Sequence, residues 1–121
     1  MEKSIKRTIL VVEDESSQRM ALTDAFSSEG FKVFAAKDGS EGLALALREH
    51  PDMILADIVM PVMDGITMLS KLREDIWGKD AKVIMLTNLS DALEHGSYDY
   101  LVKSDWNIED VVARVHARLS E

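Results

Sequence analysis

Four short apolar runs in this chain each end on a residue that can carry chemistry, and this repetition limits the fold more than any other feature. Thr8-Ile-Leu-Val-Val12 leads into Glu13-Asp14, and Met53-Ile-Leu-Ala56 into Asp57. Val83-Ile-Met-Leu86 leads into Thr87, and Tyr98-Asp-Tyr-Leu-Val102 into Lys103. Runs this short, mostly uncharged and rich in branched residues, predict strands buried on both faces of a parallel sheet. A further strand over Phe31 to Ala36 contains Lys32, which suits a sheet edge.

The stretches between these runs read as helices. Ser16 to Glu29 carries Leu22, Ala25 and Phe26, with Gly30 as its stop. Asp38-Gly-Ser-Glu41 has the pattern of a capping box, and Leu43, Ala46 and Leu47 form the inner stripe of the helix it opens, which ends at His50-Pro51. Asp64 caps a third helix with Ile66, Leu69, Leu72 and Ile76 on one face, followed by a loop at Trp77 to Asp80. Asn88 to Ser97 crosses to the last strand. Asn107 and Asp110 open the final helix, with Ile108, Val111, Val112, Val115 and Leu119 inward. Strand and helix thus alternate five times with short connections, which predicts a doubly wound α/β fold. The whole of residues 1–121 reads as one domain, with its core at about 7–119.

Composition narrows the function. The 14 basic and 22 acidic residues leave a net charge of -8, unfavourable for direct contact with nucleic-acid phosphates. No apolar run approaches the ~18 residues of a membrane span, and the charged start, Met1 to Arg7, lacks the apolar segment of a signal peptide. There is no cysteine, which excludes disulfides and thiolate metal sites. A cytoplasmic chain without membrane insertion is expected.

If the strands are wound in the order 2-1-3-4-5, the first and third are neighbours and the ligand crevice opens between their carboxyl ends. Glu13, Asp14 and Asp57 then crowd together and repel unless a cation compensates them. Hard oxygen ligands of this kind suit Mg²⁺. A metal-bound carboxylate, a hydroxyl and an ammonium point to phosphoryl chemistry. Asp57 would be the nucleophile, and the Thr87 hydroxyl and Lys103 would meet charge on the transferring group. Singly, each residue has a plainer reading: Thr87 as strand propensity, Lys103 as a solvated lysine, Glu13-Asp14 as a helix cap. Their joint placement at the ends of different strands is what carries the argument.

From about Arg7 to Leu119 the chain resembles the receiver domain of two-component response regulators, with the flavodoxin-like fold of single-domain chemotaxis regulators. The resemblance rests on Ile9-Leu-Val-Val-Glu-Asp14, Asp57-Ile-Val-Met-Pro-Val-Met-Asp-Gly65, Val83-Ile-Met-Leu-Thr87 and Asp99-Tyr-Leu-Val-Lys103. It implies a phosphoprotein in which Asp57 takes phosphate from the phosphohistidine of a histidine kinase or histidine phosphotransfer protein. It also implies Mg²⁺ bound by Asp14, Asp57 and the Val59 backbone carbonyl, with Glu13 acting mainly through water. Thr87 and Tyr100 match the family's switch pair, which alters a face that meets an output protein or a second copy in a homodimer.

The chain departs from the family at Ser104, where proline is usual, and at Asn88, where a small residue is usual. Thr87 to Lys103 spans 16 positions, about six fewer than the family pattern, so a shortened fourth helix is expected. Phosphoryl acceptance would be self-catalysed, without enzymatic turnover. Slow loss is expected because Val59 and Leu89 offer no side chain to orient water. The alternatives are a receiver-like interaction module that no longer switches, and an aspartyl-phosphate phosphatase acting on small molecules. The phosphatase reading is opposed by Val59, which stands where such enzymes place a second acid.

Overall fold

The computed structural model describes residues 6–87, 99–102 and 107–121. Strands β1 (Thr8–Val12), β2 (Lys32–Ala36), β3 (Met53–Asp57), β4 (Val83–Thr87) and β5 (Asp99–Val102) form one sheet in the order β2-β1-β3-β4-β5. All pair in parallel. Among the described residues the helices are α1 (Ser16–Ser28), α2 (Gly39–Glu49), α3 (Gly65–Leu72) and α4 (Ile108–Leu119), with a 3-10 turn at Gly78–Asp80. This is the doubly wound order expected above, with β2 at an edge. The crossover from Asn88 to Ser97, where the shortened helix was expected, and Lys103 and Ser104 lie outside the described residues.

Two apolar layers explain why the strand runs are unbroken. Ile9, Val11, Met53, Leu55, Ile84 and Leu86 face α1 and α4, meeting Leu22, Phe26, Val111 and Val115. Leu10, Val12, Ile54, Ala56, Val83 and Met85 face α2 and α3, meeting Ala46, Met68, Leu69 and Leu72. Successive strand residues point to opposite faces, so a strand covered on both sides has no polar side. Every residue of β3 and β4 is buried, including Asp57 and Thr87. Burying a Leu, Ile or Val contributes about 1.5–3 kcal/mol, and it is this apolar stretch that draws the polar strand ends into the molecule.

Local chemistry sets the helix starts. Asp38 accepts from the Glu41 amide, Asp64 from the Thr67 amide, and Asn107 forms a full capping box with Asp110. At α2 the box is displaced by one residue, because the Glu41 carboxylate takes the amide of Lys37 at 2.9 Å. Gly30 stops α1 with φ 94°, and His50 caps α2 in the left-handed region ahead of Pro51.

Two expected inner residues are exposed. Gly42 brings α2 against β1 so closely that a Cβ there would lie 2.8 and 2.9 Å from the Val12 methyls. The helix therefore packs along Gly39, Gly42 and Ala46, and Leu47 turns outward. Ile76 is 87% exposed because α3 ends at Leu72. The Arg73 guanidinium then donates to the carbonyls of Gly78 (2.7 Å) and Ala81 (2.8 Å), drawing the chain back and pointing Ile76 to solvent.

Candidate functional site

The parallel register delivers three acids to one place. Val12 pairs with Ala56, so Glu13 and Asp57 leave adjacent strands at the same level. Carboxylate oxygens of Glu13, Asp14 and Asp57 all lie within 4.8 Å of one another. Glu13 is 1% and Asp57 6% exposed, whereas Asp14 opens to solvent. Like charges this close, two of them away from water, repel strongly. A set of hard oxygen donors with one open side suits a divalent cation.

The β1–α1 junction orients the first two acids. The Glu13 amide donates to the Ala36 carbonyl at 3.0 Å. One Glu13 carboxylate oxygen accepts from the Glu15 amide at 3.2 Å, and the other from Gln18 Nε2 at 3.3 Å. Arg19 Nη1 donates to the backbone carbonyls of Glu13 (2.8 Å) and Asp14 (3.4 Å), fastening the turn from the helix side. The cap of α1 is Glu15, which accepts from the amides of Ser17 and Gln18, so Glu13 and Asp14 are not spent as caps. The Ser17 hydroxyl, and after it the Gln18 amide, hold the Glu15 carboxyl below its ordinary value. Glu15, Gln18 and Arg19 were not singled out from sequence. Their signal was the cap spacing from Glu15 to Gln18 and the placing of two donors on the first turns of α1.

Asp57 ends β3, and the loop after it folds back tightly. The Ile58 amide donates to Leu86 at 3.0 Å, Val59 to Asp57 Oδ1 at 3.3 Å, and Gly65 to the Ile58 carbonyl at 2.8 Å. A Cβ on Gly65 would overlap the Asp57 carbonyl, so only glycine lets α3 start this close to the acid. Val59, expected to offer its carbonyl, sits in this turn and is 62% exposed.

Thr87 is 1% exposed and ends β4, one residue beyond the partner of Asp57, Leu86. Tyr100 pairs with Met85 and Val102 with Thr87, so Thr87 and Tyr100 occupy the same face of the sheet two residues apart. Tyr100 is half-buried against the α2–α3 layer. The structure thus assembles Glu13, Asp14 and Asp57, and sets Thr87 at the end of the strand beside Asp57. Lys103 is among the residues not described.

Comparison with known proteins agrees with this geometry. Residues 9–116 match the family described as the response regulator receiver domain. The ycf27 protein of Porphyridium aerugineum is 38% identical over 120 residues, covering 94% of this chain and 48% of that one. RpaA of Synechocystis sp., a DNA-binding dual master transcriptional regulator, is 34% identical over 117 residues, covering 92% of this chain and 48% of RpaA. The chain therefore spans about half the length of the curated relatives it matches. The receiver domain of the sensor histidine kinase PA1611 from Pseudomonas aeruginosa, solved with a magnesium ion in its active-site cleft, superposes with a TM-score of 0.87. It is 26% identical, with 97% of this chain and all of that one covered. With five parallel strands in this order, an acid cluster at the switch point and a family match over nearly its whole length, the chain belongs to the response regulator receiver domains, the phosphoryl-accepting signalling domains of two-component systems.

Proposed function

We propose that Asp57 is the phosphoryl acceptor and that Glu13, Asp14, Asp57 and the Val59 carbonyl hold Mg²⁺ beside it. The observation that carries this is the clustering of three carboxylates within 4.8 Å, two of them buried, at the carboxyl ends of β1 and β3. A bound Mg²⁺ would offset the acids' charge and that of the phosphoryl oxygens. An Asp57 oxygen attacks the phosphorus of a phosphohistidine on a histidine kinase or histidine phosphotransfer protein. The phosphorus–nitrogen bond breaks, and the departing imidazole nitrogen keeps the electron pair and takes up a proton. The Val59 amide, on Asp57 Oδ1, fixes the rotation of the nucleophile. The Thr87 hydroxyl donates to a phosphoryl oxygen, Lys103 supplies positive charge, and movement at Thr87 passes to Tyr100 on the same sheet face.

This is acceptance without turnover, in a cytoplasmic signalling chain. Among the described residues no helix is long and apolar enough to cross a membrane. The DNA binding named for RpaA is not carried over to this domain, whose charge of -8 disfavours phosphate contact. Output is a protein contact on the face that Tyr100 alters.

Acetyl phosphate with Mg²⁺ should attach one acid-stable, base-labile phosphoryl group, and Asp57→Asn should abolish the labelling. Mass spectrometry placing the group on Asp64 or Asp38 would sink the assignment. In the phosphorylated protein, polar substitution at Val59 should speed release, which a phosphate-release assay can follow.

A further inference from the structure

The loop between Asp57 and α3 contains a residue in an unfavourable conformation with no packing of its own to justify it. Val62 has φ 69° and is 83% exposed. A β-branched residue in the left-handed region is held there by its surroundings. The immediate cause is a tight turn in which the Met63 amide donates to the Pro61 carbonyl at 2.7 Å. That turn aims the Met63 carbonyl at α2, where the amide of Gly39 donates to it at 3.0 Å.

Gly39 is the first residue of α2, and its amide is one of those that a helix start leaves without an internal partner. Asp38, its cap, is occupied with the Glu41 amide at 2.9 Å. The contact with Met63 depends on the missing side chain. A Cβ on Gly39 would overlap the Met63 carbonyl oxygen and lie 2.9 Å from its carbon, and these backbone atoms cannot swing aside as a side-chain tip would. The near end of the loop is tied to β4 by the Ile58 amide on the Leu86 carbonyl, and its far end is tied to the near end by the Gly65 amide on the Ile58 carbonyl. Gly39 holds the part between, from a helix that contributes no acid to the crevice.

We propose that Gly39 is a positioning residue for the cation site: by letting the start of α2 hold the Met63 carbonyl, it keeps the Asp57–Gly65 loop folded so that Asp57 and Val59 face Glu13 and Asp14. This rests on the metal reading above and adds a residue to it. Displacing the loop by the few tenths of an ångström or more that a Cβ demands moves Val59 relative to Asp57, and residues that orient ligands in this way typically change metal affinity about 10–100-fold.

The test is thermal unfolding of the full chain, followed by circular dichroism, across a Mg²⁺ titration, for the parent and three variants. Gly39→Ala should need about tenfold more Mg²⁺ for the same rise in Tm. Gly42→Ala adds a Cβ on the same helix against Val12 and Met68 side chains, away from the loop. It should lower Tm while leaving the Mg²⁺ midpoint within about twofold, which separates positioning from general destabilisation. Val62→Gly relieves the left-handed strain but keeps the Gly39 anchor, and it too should leave the midpoint within about twofold. A Val62→Gly midpoint raised about tenfold would mean that the turn itself, not its anchor, holds the site, and the proposal would fall. If Gly39→Ala does not fold, hydrogen exchange of the parent decides: the Gly39 amide should exchange more slowly as Mg²⁺ is added, and exchange that is equal with and without Mg²⁺ overturns the positioning role. A parent that responds to Mg²⁺ with Gly39→Ala responding equally overturns the positioning role alone. A parent indifferent to Mg²⁺ overturns the metal reading and the proposal together.

Discussion

Asp57 and Asp99 are both aspartates on strands of one sheet, but their charges are met differently. Asp99 opens β5 and accepts from Arg114 at 2.8 Å and from Arg118 at 2.6 Å, two guanidiniums one turn apart on α4. Its neutralisation is built into the chain. Asp57, at the other end of its strand, shares its space with Glu13 and Asp14, while the nearby Arg19 donates to the backbone carbonyls of the turn. The first arrangement fastens β5 to α4 and is complete without a ligand. The second gathers three carboxylates in a partly dry crevice, and on the metal assignment proposed above it gains stability when Mg²⁺ binds. Acidic residues thus serve fastening at one end of this sheet and, on the proposed function, phosphoryl acceptance at the other.

Removing an acid from the crevice tests this contrast most severely. At a hundred times its dissociation constant, Mg²⁺ should stabilise the parent by about 2.7 kcal/mol. In Asp14→Asn nearly all of that gain should vanish, and without Mg²⁺ the variant should be at least as stable as the parent, because a like charge has gone. Urea denaturation with Mg²⁺ and with a chelator gives both numbers. A parent-like Mg²⁺ gain in Asp14→Asn would break the comparison. Asp99→Asn should behave oppositely. Arg114 and Arg118 lose their charged partner, at a cost of about 1–2 kcal/mol, between the values for exposed ion pairs and for buried charged hydrogen bonds because the arginine side chains are 40% and 22% exposed. That cost should be the same with and without Mg²⁺, since Asp99 opens its strand whereas Asp57 ends the strand two places away in the sheet. A Mg²⁺-dependent loss in Asp99→Asn would show that the ends are coupled.

The smallest effect belongs to Glu15, whose carboxyl the Ser17 hydroxyl and then the Gln18 amide hold below its ordinary value. A folded-state value lower than the unfolded one contributes stability above the unfolded value and loses it as pH falls through the folded one. The stability difference between the parent and Glu15→Gln should therefore be level at neutral pH and close in acid. Melting temperatures across the carboxylate range check it, and a difference that widens in acid would show that the carboxylate is not what caps α1.

The apolar runs by themselves determined that the chain forms a doubly wound parallel sheet. Asp38, Asp64 and Asn107 likewise marked their helix starts, because a cap bonds amides two or three residues away. The acids at the strand ends were legible for the same local reason: each directly follows a run that must be buried. Tertiary structure decided what depends on how closely distant segments approach. Leu47 and Ile76 had the right spacing for inner positions, yet one turns outward because Gly42 sets α2 hard against Val12, and the other because Arg73 reaches Gly78 and Ala81. The donation from Gln18 to Glu13 and from Arg19 to the turn, and the grip of Gly39 on Met63, belong to this second class. Periodicity reports which way a side chain points along its own element. Whether a backbone amide from another helix arrives within 3.0 Å depends on the packing between them, and only the folded chain settles that distance.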